Sequence, residues 1–444
     1  MIYIDGVIFP KREIKTDKKL SSDLLLKIAL GCTIPINVPV TNVNTTIARA
    51  IKASFEEETA FLSALIKSKS VNPHTPQDSP LHESIEGEVP TLIFEELKKI
   101  GLSPRYLGAS KERPNVIAEW GEKRGRMGLM LNGHMDTIPP EGRDAISPYS
   151  GVIRNGKIYG IGSLDMKASL AAYVYAVKAL ITAGVKIKGK LTLAFVVDEE
   201  TGACSPYGTQ YLIDQGCVPK ACFIGEHGSR YVRTAQRGGY RFKIVTKGQA
   251  VHTGVSAWER GEEGHNAVVD MSQIINALQG LEIPFKASKM FEERKPMFTF
   301  PTKISGGVAM NVVPAICEAY GDVRLLPGNS DAQVKLLMIE RLQKLGIPYE
   351  IEDLIYVPAV EIDPHDPLVL SLQKTAKEVL GYTPEARVSG PATDGWMMVK
   401  RDIPTIMGFG PDGGGEHGKG EWVDLESLQK ITEVYARFIV DYLG

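Results

Sequence analysis

Two short polar strings, each placed directly after an apolar run, constrain the fold of this chain more than any other feature. The string GHMDT (133–137) follows the run 127–131, and the string DEETG (198–202) follows the run 191–197. Each run is typical of a buried strand. The strings therefore place imidazole and carboxylate groups at the carboxyl ends of strands, where open α/β sheets carry their sites. A divalent cation would compensate the cost of burying these groups.

Helical and strand patterns alternate along the first half of the chain. This alternation predicts a mostly parallel sheet covered by helices on both faces, because parallel strands need a crossover between them. The apolar spacing predicts helices over 46–69, 91–100, 166–183 and 209–215, and strands over 116–120, 127–131, 191–197 and 221–224.

The pattern changes near Gln236, where a smaller α+β unit begins. We therefore expect an α/β catalytic domain built from residues 46–235 and 353–444, interrupted by this smaller domain over 236–352. The smaller unit has predicted strands over 240–245, 298–304, 316–323 and 349–351 and helices over 268–278 and 332–345, and the first pattern resumes with a helix over 367–380 and a strand near 405–407.

Residues 1–45 form an N-terminal extension to which the sequence assigns no role. A short helix is predicted over 24–30 and an extended stretch over 35–40.

The composition excludes several classes of partner. Acidic and basic residues nearly balance, 53 against 51, so no global field favours nucleic acid or an anionic membrane. No apolar stretch reaches the length of a membrane-spanning helix, and the first residues lack the pattern of a secretory signal. The five cysteines are odd in number and form no CxxC pair, which fits a reducing compartment. We expect a cytoplasmic protein that acts on a small-molecule substrate.

Asp165 lies in the glycine-containing string GIGSLDMK (160–167). Gly160 and Gly162 suggest a dinucleotide fingerprint, but Asp165 occupies the third glycine position, where a carboxylate would repel pyrophosphate. This argues against a nicotinamide-dependent dehydrogenase. Asp165 begins a predicted helix, so it is either an N-terminal cap or a carboxylate that bridges two metals through its two oxygens.

The two opening strings contain further candidate ligands. His134 can bind metal through a ring nitrogen, and Asp136 can orient an imidazole, unless the string is a surface loop. Glu199 and Glu200 repel one another unless a cation lies between them. One of them would then bind metal while the other takes a proton; the alternative is a solvated pair in a loop.

Two more candidate ligands lie later in the chain. Glu226 follows the predicted strand 221–224, again at a carboxyl end, and His417 lies in the glycine-rich string 413–418. Each is weak evidence alone. Together with the earlier groups they predict a metal site with five candidate ligands: His134, Asp165, one of the pair Glu199 and Glu200, Glu226 and His417.

Taken in order, these strings resemble the dinuclear zinc amidohydrolases, the family of aminoacylase, acetylornithine deacetylase, succinyl-diaminopimelate desuccinylase and carboxypeptidases of the carboxypeptidase G type. The resemblance covers about residues 50–444. It rests on GHMDT (133–137), GIGSLDMK (160–167), VVDEETG (196–202), IGEHGS (224–229), GQAVHTG (248–254), NVVP (311–314), DVRLLPG (322–328) and His417.

The resemblance implies two divalent metal ions, zinc in the first place, with cobalt or manganese as alternatives because the ligands are nitrogen and oxygen donors. Asp165 would bridge the two ions. His134 and Glu226 would complete one site, and Glu200 and His417 the other. The peptide bond after Asp165 would be cis.

The resemblance also implies the reaction. A metal-bound hydroxide would attack an amide or peptide bond of a small substrate with a free carboxylate. Glu199 would be the general base that takes the proton of the water and returns it to the leaving amine. Asp136 would support His134.

The inserted domain would be the ferredoxin-like lid and dimerisation domain of this family, which implies a homodimer. Its His252 would stabilise the oxyanion, often from the partner subunit. Asn311 and Arg324 would lie near the substrate, and the guanidinium of Arg324 suits a carboxylate. A surface position on a strand is the alternative for Arg324.

Two hydrolase classes remain open. One is a peptidase that acts on dipeptides or C-terminal residues, and the other is a biosynthetic deacylase such as acetylornithine deacetylase or succinyl-diaminopimelate desuccinylase. A non-catalytic binding protein on the same fold is a remote alternative, because Glu199 and all candidate ligands are present. Two positions depart from the family pattern: His227 replaces a common proline, and His265 replaces a common glycine.

Overall fold

The computed structural model describes residues 2–4, 7–9, 43–73, 88–122, 127–140, 146–200, 206–286 and 288–444. The chain divides into two compact units, Met1–Thr45 and Thr46–Gly444. In the first unit, strands β1 (Ile2–Ile4) and β2 (Val7–Phe9) pair antiparallel to each other. The helix expected over 24–30 and the extended stretch expected over 35–40 lie outside the described residues.

The other described elements alternate much as the apolar spacing predicts. The helices are α1 (Val43–Lys67), α2 (Val89–Lys99), α3 (Ala168–Thr182), α4 (Thr209–Asp214), α5 (Ser256–Glu259), α6 (Ala267–Leu278), α7 (Asp331–Leu342), α8 (Pro367–Leu380), α9 (Gly395–Val399) and α10 (Leu425–Leu443). The strands are β3 (Arg105–Leu107), β4 (Asn115–Gly121), β5 (Gly128–His134), β6 (Val152–Arg154), β7 (Lys157–Tyr159), β8 (Lys190–Val196), β9 (Ala221–Ile224), β10 (Tyr231–Gln236), β11 (Gly238–Lys247), β12 (Met297–Gly306), β13 (Ile316–Leu325), β14 (Tyr349–Val357), β15 (Val360–Glu361), β16 (Glu385–Ser389), β17 (Thr405–Ile406), β18 (Gly413–Gly414) and β19 (Trp422–Asp424).

The main sheet has six strands in the order β17-β9-β5-β8-β4-β3. The four strands from β17 to β8 are parallel, while β4 and β3 are antiparallel to their neighbours. Every residue of β5 is buried, so both faces of the sheet are covered at its centre, as the continuous apolar run predicts. The expected α/β fold with a mostly parallel sheet is confirmed.

The hydrophobic core of this domain lies between the sheet and its helices. Helix α3 is buried on nearly its whole circumference, and it packs against α10. Gly133 in β5 allows this helix to approach closely, because a Cβ there would lie 2.6 Å from Leu170 Cδ2. Phe223 of β9 packs edge-on against Tyr435 of α10. The rigid core thus fixes the strand ends on which the site is built.

The inserted domain has the order β11-α5-α6-β12-β13-α7-β14, in which α5 is a single short turn, and a four-stranded antiparallel sheet in the spatial order β12-β13-β11-β14. This is the ferredoxin-like arrangement, as expected. Burial alternates along β11 and β13, because one face packs on α6 and α7 while the other stays open. We call this domain the lid.

The lid sheet extends past residue 352, the expected end of the inserted domain. Strand β14 runs to Val357, and Val357 pairs with Gly239 of β11. At the other junction, Gln236 ends β10, which pairs with β15 and β16 in a separate three-stranded sheet. The alternation of apolar and polar residues in β14 is broken by the adjacent Glu352 and Asp353, where the pairing with β11 is also irregular, and sequence reasoning therefore ends the domain early.

Two features escape the sequence reasoning. Helix α10 packs on α3 and α8, and its apolar positions, among them Leu428, Ile431, Tyr435 and Phe438, have a helical spacing that was available in the sequence. The hairpin of β6 and β7 joins β19 and β18 in a small sheet whose strands are too short for a clear period. None of the helices in the described ranges is long and apolar enough to cross a membrane.

Candidate active site

The candidate site lies at the carboxyl ends of three adjacent parallel strands. His134 is the last residue of β5, Glu199 and Glu200 follow β8, and Glu226 follows β9. In the sheet, β5 lies between β9 and β8, so the strand ends converge as parallel neighbours must. His134 Nε2 is 3.6 Å from Glu226 Oε1.

Asp165 enters the same space from the tight turn Ser163–Lys167. Its Oδ1 atom lies 3.0 Å from His134 Nε2, and its Oδ2 atom lies 3.2 Å from His417 Nε2. The Asp165–Met166 peptide is cis, as the family resemblance implies. Helix α3 begins at Ala168 with Lys167 at its N-terminal cap, so the alternative of Asp165 as a helix cap is wrong.

The side chains form two groups that share the Asp165 carboxylate. Each group brings its ligand atoms within 4.8 Å of one another, which is the spacing that a metal ion requires. The first group is His134, Asp165 and Glu226, and the second is Asp165, Glu200 and His417. In the second group, His417 Nε2 also lies 3.2 Å from Glu200 Oε2.

The electrostatics of the groups fit bound cations. Burial disfavours charge on His134, but hydrogen bonds with Asp165 and Glu226 raise its pKa well above the usual range. Hydrogen bonds with Asp165 and Glu200 raise the pKa of His417 to about 11. The carboxylates thus require positive charge at the imidazole positions, and divalent cations would supply it in place of protons.

Asp136 acts on the site differently from the expectation. The main-chain carbonyl of Asp136 accepts a hydrogen bond from His134 Nδ1 at 3.0 Å, while its carboxylate is 3.8 Å from that atom. The carboxylate instead accepts hydrogen bonds from the main-chain N–H groups of Glu199 and Glu200, and from the Asn72 side chain. The two-residue spacing of His134 and Asp136 predicts that their side chains lie on the same face of the strand. It does not show whether the imidazole bonds the carboxylate or the main-chain carbonyl of Asp136.

Glu199 and Glu200 line a cleft of about 250 Å³. Burial raises the pKa of Glu199 well above its usual range, and burial also raises the pKa of Glu200 to about 7. The alternative of a solvated loop pair is therefore wrong. The other residues that line the cleft are Asp165, Glu226, His227, Arg233, Ser389, Pro391, Ala392, Thr393, Glu416 and His417.

The expected substrate residues of the lid are not among those that line this cleft. His252 is exposed, and its Nε2 atom lies 3.1 Å from the Asn311 side-chain amide. Arg324 lies on β13, where its Nε atom donates to Asp322 Oδ1 at 2.8 Å. The family resemblance assigns all these residues to one site. In this structure the candidate metal ligands lie in the catalytic domain, whereas His252, Asn311 and Arg324 lie in the lid.

His227 is not part of either metal group. Its Nε2 atom forms an ion pair of 2.5 Å with Glu416 Oε2, and its Nδ1 atom is 3.8 Å from Glu226. Glu416 directly precedes His417, so the pair ties the glycine-rich loop to the end of β9. Sequence reasoning noted His227 only as a departure from the family pattern, and it missed Glu416.

Glu421 is a second residue that sequence reasoning missed. It is only 4% exposed. Its Oε1 atom accepts hydrogen bonds from the main-chain N–H groups of Leu164 at 2.7 Å and Asp165 at 3.0 Å, and its Oε2 atom accepts one from Gly162 at 3.0 Å. Glu421 thus fixes the turn that aims Asp165 into the site. The only sequence signal was an acidic residue next to the predicted His417 loop.

Replacing Glu421 with alanine should weaken metal binding at both groups. The three N–H groups would lose their acceptor and Asp165 would lose its fixed orientation, so we expect the affinity for Zn²⁺ to fall about 10- to 100-fold, measured by calorimetric titration. Glu426→Ala removes an exposed glutamate of the same region, paired only with Lys430, and should leave the affinity unchanged. An equal affinity in the Glu421 and Glu426 variants would contradict this role.

Comparison with known proteins identifies the family. Residues 130–441 match peptidase family M20/M25/M40. The chain is 27% identical over 383 residues to succinyl-diaminopimelate desuccinylase of Bordetella avium, covering 83% of this chain and 95% of that protein.

Two solved structures share the fold. The M20 family metallo-carboxypeptidase Sso-CP2 from Sulfolobus solfataricus aligns with a TM-score of 0.73 at 19% identity, covering 87% of this chain and 99% of the other. The Bacillus subtilis YXEP protein, a dinuclear metal binding peptidase, aligns with a TM-score of 0.62 at 18% identity, covering 88% and 99%. The resemblance drawn from the strings is confirmed, and so is the class of enzyme, a hydrolase of amide or peptide bonds. The chain belongs to peptidase family M20/M25/M40.

Proposed function

We propose that this enzyme hydrolyses an amide or peptide bond of a small substrate with a free carboxylate, using two divalent cations in the cleft. The observation that carries the proposal is the Asp165 carboxylate, whose two oxygens face the Nε2 atoms of His134 and His417 at 3.0 Å and 3.2 Å. A carboxylate placed in this way can bridge two cations. The dinuclear metal binding described for the YXEP protein supports this number of cations.

The proposed ligands are His134, Asp165 and Glu226 for one cation, and Asp165, Glu200 and His417 for the other. We propose zinc as the ion, since it accepts imidazole and carboxylate ligands in compact sites; cobalt and manganese accept the same donors. When bound, the cations would polarise the substrate carbonyl and lower the pKa of a coordinated water to about 7.

Glu199 is the proposed general base. It lines the cleft beside the two groups without being a member of either. It would take a proton from the attacking water and return it to the leaving amine. Its raised pKa supports the second transfer, because a carboxyl group that holds its proton more tightly is a better acid near neutral pH. Asp136 would position Glu199 through the main-chain N–H group that it binds.

The lid residues are proposed to complete the site. The Gly254 N–H group donates to His252 Nδ1 at 3.0 Å, which in a neutral ring leaves the proton on Nε2. That N–H group could donate to the oxyanion, with Asn311 beside it. Arg324 would bind the substrate carboxylate when the lid closes over the cleft.

A panel of substrates tests the proposal and separates its two classes. Dipeptides represent the peptidase, and N-acetyl and N-succinyl amino acids represent the deacylase; the similarity to a desuccinylase favours including the latter. We expect hydrolysis of one class by enzyme loaded with Zn²⁺, loss of activity on chelation, and recovery on adding back Zn²⁺, Co²⁺ or Mn²⁺. Activity that survives removal of both metals would contradict the proposal.

Changing Glu199 to alanine should separate catalysis from metal binding. Loss of the general base should lower kcat by about 10²- to 10⁴-fold, while metal analysis should still find two ions per chain. Glu200→Ala should instead lose metal as well as activity. Near-normal turnover by the Glu199 variant would exclude its proposed role.

We propose that the enzyme is a homodimer formed through the lid. Strand β12 lies at the edge of the lid sheet, and Ile304 on this strand is 50% exposed. In the following loop, Val308 and Met310 are almost fully exposed. An apolar edge of this kind is typical of an interface. His252 is not among the described residues that line the cleft, which supports a site completed by a partner subunit.

Complementation between two inactive variants tests this arrangement. In a mixed dimer of Glu199→Ala and His252→Ala chains, one site would combine an intact Glu199 with an intact His252 from the other chain. Mixing should therefore restore about a quarter of wild-type turnover for random pairing in a two-fold dimer, although each variant alone is nearly inactive. No recovery from a preparation shown by light scattering to contain mixed dimers would place His252 in the site of its own chain.

A cytoplasmic location is also proposed. Cys217, Cys222 and Cys317 are free thiols, which is the usual state of cysteines in a reducing compartment.

A further inference from the structure

Arg233 is a cation in the cleft for which the proposed chemistry has no use. It lies on β10, and it is the only lysine or arginine among the described residues that line the cleft. Within the described part of the chain, its guanidinium forms neither a close ion pair nor a hydrogen bond. Its charge acts only at longer range, where it adds to the effect of His227 in lowering the pKa of Glu416. Two arginines outside the cleft lining differ: Arg324 of the lid is paired with Asp322, and Arg113 is paired with Asp198.

The surroundings hold the Arg233 guanidinium beside the first metal group. The main chain is fixed on both sides, because Arg233 N–H donates to the Gly408 carbonyl and the Arg233 carbonyl accepts from Met407 N–H. The guanidinium lies against Gly408: a Cβ on this glycine would be 2.7 Å from Nη1 and 3.1 Å from Glu226 Cβ. The absence of a side chain at 408 therefore leaves room for Arg233 next to Glu226.

The lining of the same cleft offers a second polar group that the proposed chemistry does not use. Ser389 at the end of β16 is 3% exposed, and its hydroxyl has no hydrogen-bond partner among the described residues. Ser389 and Arg233 line the same cleft, and they lie on the paired strands β16 and β10. An unpaired guanidinium and an unpaired hydroxyl in one cleft form a site for an anion that is planar and accepts several hydrogen bonds.

We propose that Arg233, assisted by Ser389, binds a second carboxylate of the substrate. The substrates would then be amides that carry a carboxylate on each side of the scissile bond, or two on one side: dicarboxylic acyl derivatives of amino acids, or dipeptides with an acidic residue. The inference rests on the proposed hydrolysis and extends it, since the first carboxylate is assigned to Arg324 of the lid. Arg233 is a specificity-determining residue in this scheme.

Two pairs of substrates test the proposal, because the members of each pair differ by one carboxylate. The first pair is N-succinyl-alanine and N-succinamoyl-alanine, which differ by a carboxylate on the acyl side of the scissile bond. The second pair is alanyl-glutamate and alanyl-glutamine, which differ by a carboxylate on the amine side. The wild-type enzyme should prefer the charged member of at least one pair in kcat/KM. Arg233→Gln should lower that preference about 10- to 100-fold, as loss of a charge-assisted hydrogen bond does, chiefly through KM. Arg233→Lys should keep part of it.

The preference ratio does not depend on the fraction of folded enzyme, so a partly unfolded variant remains informative. Arg387→Gln is the matched control, because Arg387 lies on the neighbouring strand, stacks on Tyr231 and pairs with Glu385 outside the cleft lining. Its ratio should equal that of the wild type. The role of Arg233 would be overturned if the Arg233→Gln variant kept the wild-type preference ratio in kcat/KM. An equal loss of kcat/KM on both members of each pair would leave that ratio unchanged and would count as the same outcome. If the metal-loaded wild type cleaved other members of the panel but none of these four amides, this proposal alone would be overturned. Failure of the wild type on the whole panel would overturn the proposed hydrolysis itself.

Discussion

The shared carboxylate of Asp165 is the constraint on which the rest of the site depends. Its two oxygens face two imidazoles on different segments, so a small rotation of this one side chain would disturb both metal groups. The structure fixes it through its main chain, since the buried Glu421 accepts the N–H groups of the turn. Lys167 holds the other end of the turn, because its buried ammonium donates to the carbonyls of Leu65 and Ser68 at the end of α1.

The same constraint determines the charge of the cleft. Several carboxylates lie within one partly buried space, and their mutual repulsion must be compensated. Two imidazoles with raised pKa values supply part of the positive charge, and the geometry leaves positions where divalent cations would supply more. Arg233 contributes to this balance only at longer range, through Glu416, and it forms no close ion pair with the carboxylates among the described residues of the cleft. An unpaired cation next to a metal site is better explained by the substrate than by the stability of the fold.

The lid carries the proposed substrate-binding groups that the cleft of the catalytic domain lacks. The catalytic domain alone provides the proposed metal ligands and the proposed base, but the described cleft contains no donor from His252 or Arg324. These groups lie on a separate ferredoxin-like sheet, with its own core and an exposed apolar edge. Such a division suits an enzyme that binds substrate in an open cleft and completes the site by closure or by a partner subunit.

Much of this protein is determined by the sequence alone. Buried apolar runs followed by polar strings predict the parallel sheet and place His134, Glu199, Glu200 and Glu226 at its edge, because burial and strand periodicity are local properties. Only the tertiary structure decides which atoms meet. It assigns the Asp136 carboxylate to two main-chain N–H groups, brings Glu421 and Glu416 from the last hundred residues to the turn of Asp165 and to His227, and leaves Arg233 without a partner. Such contacts join residues far apart in the chain, and the sequence carries no periodic signal for a single side chain that crosses between elements.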